Sequence, residues 1–155
     1  FRSNYYGAGQ QLWKILPRAA ITVHRGEKLP LHGGGAALKT WIHVRDAARG
    51  VIAALERGRV GEVYHFSDAA NVLTVAEAVR RISAAMGVNF EEVIEMAPVR
   101  LGQDPRYLLD YSKAGRELGW RPEVKFDDGL RELISWVLTN WTTISGLPRE
   151  YVHRA

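Results

Sequence analysis

Short apolar runs alternate along this chain with helical stripes, and that alternation constrains its fold most. Val44, Ala47, Ala48, Val51, Ile52 and Leu55 recur at spacings of three and four, giving one apolar helix face that ends at Gly58 and Gly61. Leu38–Val44 before it and Glu62–Phe66 after it read as strands. Thr74-Val75-Ala76-Glu77 then has capping-box form and opens a helix burying Val75, Val79, Ile82 and Met86, closed by Gly87. Pro17 sits in the first turn of an earlier helix that stops at Gly26. A chain that alternates in this way is an α/β protein.

The remaining segments follow the same logic. Phe1–Asn4 reads as a strand end and Tyr5–Gly9 as a loop. Leu29-Pro30-Leu31-His32 is a short edge strand, because proline donates nothing to a central ladder. Gly33-Gly34-Gly35 is expected to be a hairpin turn. Glu92–Ala97 and Tyr107–Asp110 are strands. Ser112 is expected to cap a short helix ending near Gly119, and Asp127 a longer one carrying Leu130, Leu133, Ile134, Val137 and Trp141. The tail from Leu147 reads as irregular.

At 155 residues the chain is one domain or part of a larger one. It does not begin with Met, so residue 1 is not expected to be a natural start. No secretory signal is visible, and no apolar run approaches the roughly 20 residues that span a bilayer. The absence of cysteine excludes disulfides, thiolate metal sites and a cysteine nucleophile, and fits a reducing cytoplasm. The net charge is +4 without any block of like charge, so nucleic acid is not the expected partner. The histidines form no zinc-ligand spacing, no G-x-S-x-G elbow occurs, and Gly33–Gly35 lacks the pattern of a dinucleotide loop.

What remains is a set of groups suited to an anion. Arg100-Leu-Gly-Gln-Asp-Pro-Arg106 sets two permanent, planar cations beside a glycine that admits close backbone approach. Asn4 at a strand end and Lys39 within a strand are further polar candidates. Taken singly, each of these has an ordinary surface or turn role.

Together they carry a resemblance. Ser3–Gln10, Lys28–Gly33, Trp41–Ala48, Gly61–Phe66 and Arg100–Trp120 stand in the order and spacing of the extended short-chain dehydrogenase/reductases that act on nucleotide sugars. The chain resembles their C-terminal half, with the dTDP-glucose 4,6-dehydratases and related epimerases nearest in pattern. The resemblance implies a Rossmann-type enzyme in which NAD lies on an N-terminal sheet and a smaller C-terminal lobe holds a nucleotide-diphosphate sugar. It implies that Asn4 and Arg100 contact the diphosphate, with Arg100 as the main clamp. Leu29, Pro30, Leu31 and His32 would line the base pocket. Lys39 would face the diphosphate where relatives commonly carry arginine. Gln103 and Asp104 would lie near the nucleoside, and Asn71 would reach the nucleotide.

The family's G-x-x-G-x-x-G loop and Tyr-x-x-x-Lys pair do not occur in this sequence. Residues 1–155 are therefore expected to be the substrate-binding C-terminal region plus the last strands of the Rossmann sheet, with NAD bound mainly by a preceding part. Such a piece would bind its nucleotide without turnover. It would also expose strand edges and apolar faces, which favours a homo-oligomer. A C4-epimerase fragment and a stand-alone nucleotide-sugar binding module are the alternatives.

Overall fold

A computed structural model describes residues 4–102 and 104–151. Its spine is β3 (Leu38–His43). The C-terminal half of β3 pairs in parallel with β1 (Asn4–Tyr6), Asn4 opposite Trp41. Its N-terminal half pairs antiparallel with β4 (Val72–Thr74) and parallel with the two-residue β6 (Arg106–Tyr107). Among the described residues a second sheet holds β2 (Leu29–His32) and β5 (Ile94–Ala97), parallel, with Leu29 opposite Ile94. This mixture of short strands and helices is the expected α/β class.

Three helices cover the first sheet and enclose the main core: α1 (Ile15–Arg25), α3 (Val75–Ala85) and, later in the chain, α6 (Phe126–Thr139). Leu16, Ile21, Val79, Ile82, Leu130 and Leu133 meet there with Tyr6 and Trp41. The α1 helix ends as its sequence requires. Gly26 takes φ 63°, and its N–H closes on the carbonyls of Thr22 and Val23. A smaller core forms where α2 (Val44–Arg57) meets α5 (Ser112–Leu118), built on Ile42, Ala53, Phe66, Leu118 and Trp120. Asp46 joins this second core to the chain that follows. Its buried carboxylate accepts the N–H groups of Glu123 and Val124 at 3.0 and 2.9 Å and Arg49 at 2.7 Å. The Trp120 indole donates to the Asp46 carbonyl at 3.0 Å.

Several expectations are corrected. Tyr5 and Tyr6 continue a strand rather than a loop, because β3 offers them a ladder. Gly33–Gly35 forms a short 3-10 turn and not a hairpin, since the chain leaves β2 in one sheet and enters β3 in another. Glu62–Phe66 has the strand pattern but no ladder partner among the described residues, and it runs as irregular chain. The strand expected at Glu92 begins at Ile94, after a single turn, α4 (Phe90–Val93), capped by Asn89. Tyr107–Asp110 shrinks to β6. Ser112 does not cap α5. Asp110 does that work, accepting the Ser112 N–H at 2.9 Å and its hydroxyl at 2.7 Å. Asp127 lies inside the first turn of α6, which starts at Phe126. Thr74 caps α3 as expected, but Glu77 turns to Arg81 instead of reaching back. The strand β4 and the terminal turn α7 (Trp141–Ile144) went unread in the sequence. Among the described residues no helix is long and apolar enough to cross a membrane.

Candidate functional site

The β2 strand alternates buried Leu29 and Leu31 with half-buried Pro30 and His32, so one edge of its small sheet faces a hollow. With one partner strand among the described residues, β2 accommodates a proline that cannot donate. The hollow measures about 1240 Å³ with its open mouth. It is lined by Leu29–His32, by Lys14 and Arg18 from the start of α1, by Lys39 from β3 and by Arg100. Six of the residues singled out in the sequence (Leu29, Pro30, Leu31, His32, Lys39 and Arg100) thus share one cavity.

Among the described residues no carboxylate lines this hollow, while four cations do: Lys14, Arg18, Lys39 and Arg100. Arg100 is exposed but oriented. Its Nη2 reaches Nε2 of His32 at 3.3 Å, and Nδ1 of His32 lies 2.9 Å from the Pro98 carbonyl. Two residues on, Gly102 takes φ 77°, a left-handed conformation that glycine adopts without strain and that turns the loop back toward β6. An apolar strand together with several cations suits a ligand with an apolar ring and an anionic bridge.

The other candidates lie elsewhere. Asn4 lines an adjoining hollow of about 980 Å³ with Tyr5, Gly7 and Gln10, and Lys14 and Ile15 border both. The Asn4 amide donates to the Thr40 carbonyl at 3.2 Å. Asn71 faces a third hollow, alongside Asp68, Arg121 and Arg131, and its amide donates to Asp68. Burial pushes the Asp68 carboxyl up, against the hydrogen bonds from Ala70 and Asn71. Asp104 is exposed in the loop before β6, and Arg106 is exposed as the first residue of β6. Gln103 lies outside the described residues. Lys14, Arg18 and Tyr151 line the first hollow without having been singled out in the sequence. A signal for the first two was present: positions 14 and 18 are one helical turn apart, so both cations fall on one face. No group of three metal-ligating side chains occurs among the described residues.

Comparison with known proteins gives this geometry a family. Residues 2–133 match the family model described as GDP-mannose 4,6 dehydratase. The chain belongs to that family. Its relatives include a dTDP-glucose 4,6-dehydratase of an Actinoplanes species, 38% identical over 145 residues, which covers 90% of this chain and 44% of the relative. The enzyme of the same name from Escherichia coli K12 is 32% identical over 144 residues, 89% of this chain and 40% of the relative. The chain therefore spans less than half the length of these curated relatives, matching their C-terminal part.

Solved structures agree. A dTDP-glucose 4,6-dehydratase of Bacillus anthracis in complex with NAD superposes with a TM-score of 0.87 at 34% identity, over 94% of this chain and 46% of that one. The UDP-glucose 4-epimerase of Thermotoga maritima, solved with UDP-glucose, gives 0.83 at 25% identity, over 90% of this chain and 45% of that one. The fold is the C-terminal part of a Rossmann-type nucleotide-sugar enzyme, and within the family the dehydratases fit better than the epimerases.

Proposed function

We propose that residues 1–155 form the substrate-binding region of an NAD-dependent nucleotide-sugar 4,6-dehydratase and hold the nucleoside-diphosphate part of a dTDP-glucose-like substrate. One observation carries the reading: Arg100, Lys39 and the Leu29–His32 strand share a single hollow lined by cations and by no described carboxylate. The two phosphates would lie between the Arg100 fork and Lys39, with Lys14 and Arg18 adding positive potential. The base would rest on Leu29–Leu31. Asn4 would meet the sugar end of the diphosphate from the adjoining hollow. Gln103 and Asp104 would approach the nucleoside from the loop beyond Arg100, while Asn71, held by Asp68 in a separate hollow, takes no part in this binding mode.

In the whole enzyme NAD would supply the hydride acceptor and donor for a 4,6-dehydration of the sugar. This chain carries neither the glycine-rich loop nor the Tyr-x-x-x-Lys pair. Its share is therefore to bind and orient, and NAD would be held mainly by the N-terminal part. Fixing the nucleotide end also holds the reacting sugar in register, which converts binding into orientation. Exposed Ile52, Leu55, Val60 and Val63 leave an apolar surface on and after α2 that favours a homo-oligomer of this chain.

The test is paired. The chain incubated with NAD and dTDP-glucose is expected to give no 4-keto-6-deoxy product, while it binds dTDP saturably. Arg100→Ala is expected to weaken that binding by about 10- to 100-fold, the range for losing a charge-assisted hydrogen bond. Turnover by the chain alone, or unchanged binding in the variant, contradicts the reading.

A further inference from the structure

We propose that His32 is the positioning residue of the anion clamp: as a neutral ring with its proton on Nδ1, it holds the Arg100 guanidinium over the hollow. This deepens the function proposed above and rests on it. The argument starts from hydrogen-bond bookkeeping on one imidazole. A carbonyl oxygen only accepts, so the 2.9 Å contact from Nδ1 to the Pro98 carbonyl puts the ring proton on Nδ1. A guanidinium only donates, so its contact with Nε2 requires a lone pair there and hence a neutral ring. The 3.3 Å contact from Arg100 Nη2 to Nε2 is therefore directed, with His32 as the receiver.

The chain joins these groups across a long sequence distance, and each end is anchored. His32 is the last residue of β2, paired opposite Ala97 of β5, and Pro98 follows directly. The ring thus spans from its own strand to the end of the partner strand and meets the loop that carries Arg100. An exposed arginine otherwise samples many rotamers, and ordering it when a ligand binds costs free energy. A preset acceptor removes part of that cost. It also selects geometry: with one Nη group turned to His32, the remaining donors are left for phosphate oxygens. Among the described residues the other charged groups lining the hollow, Lys14, Arg18 and Lys39, are cations and cannot serve as that acceptor. Lining a base pocket would require only the shape of residue 32; orienting Arg100 requires its acceptor nitrogen.

The experiment has two arms. In the first, a long-range 1H–15N spectrum of the chain at pH 8 reads the His32 tautomer without any ligand. The expected result is the Nδ1–H form, with the Nε2 resonance moving in Arg100→Ala; an Nε2–H form overturns the proposal. In the second, dTDP affinity is measured for His32→Phe, His32→Gln, Arg100→Ala and the His32→Phe/Arg100→Ala pair. His32→Phe is expected to weaken binding about 3- to 10-fold, the cost of ordering one long side chain. His32→Gln, which keeps an acceptor where Nε2 was, restores most of it. In the Arg100→Ala background the His32 change has no further effect. Loss in Arg100→Ala without loss in His32→Phe overturns the role of His32 and leaves the proposed function standing. Additive losses also overturn it, since they mean His32 acts on the ligand directly. No dTDP binding by the unaltered chain overturns both.

Discussion

At the scale of single residues, His43 has the clearest consequence. It closes β3 with a fully buried ring packed edge-on against Tyr6 at 5.3 Å between centroids. Its Nδ1 accepts the Arg45 N–H at 3.3 Å, so the proton sits on Nε2, which lies 3.7 Å from a Glu132 carboxylate oxygen, too far for a hydrogen bond. Burial pushes its pKa below the ordinary 6.5, outweighing the opposing pull of Glu132. A histidine depressed in the folded state binds fewer protons there than in the unfolded chain. Stability is then fully present above pH 6.5 and declines as pH falls through it. Urea denaturation between pH 7.5 and 5 is expected to show this decline in the parent chain and a flatter profile in His43→Gln; equal slopes contradict the assignment. This role was hidden in the sequence, where His43 is one histidine in an apolar strand. The Arg100 clamp was half legible. Its arginine and glycine stood out, but His32 and Pro98 are brought to it only by the pairing of β2 with β5.

At the scale of elements, the helices were legible and the strands less so. Helices α2, α3 and α6 each carry a full 3.6-residue stripe, which local sequence records. Strand β4 is three residues long and runs straight into the cap of α3, so it leaves no period of its own. The Glu62–Phe66 segment shows the converse: its pattern fits a strand, yet a strand exists only with a neighbour. How elements approach each other was likewise unreadable. Gly129 lets α6 lie against the first sheet, and a Cβ there would come within 2.5 Å of the Tyr6 hydroxyl and 2.8 Å of the His43 ring. Gly129→Ala is expected to cost about 1–3 kcal/mol in chemical denaturation, as overpacked cores do. Gly146→Ala, with nothing within 4 Å of the added carbon, is the control and stays within about 0.5 kcal/mol. Equal stabilities would mean that α6 is free to shift.

At the scale of the molecule, two sheets divide the work. The β1–β3–β4 sheet with its three helices supplies rigidity, and the small β2–β5 sheet presents the hollow. Helix α1 links them, buried on the main core along Leu16, Ala19, Ala20 and Val23 while its first turn turns Lys14 and Arg18 to the cavity. The α/β class was readable from the alternation of patterns, and the family from the resemblance of five segments. The resemblance already assigned residues 29–32, 39 and 100 to one ligand; that residues 14 and 18 share their hollow was not readable, because only the tertiary fold brings the start of α1 to it. The most direct measurement is a crystal structure of the chain with dTDP-glucose. The account predicts the diphosphate within hydrogen-bond distance of both Arg100 and Lys39, with the base against Leu29–Leu31. A nucleotide seated instead in the hollow of Asp68 and Arg131, or a diphosphate touching neither cation, would contradict it.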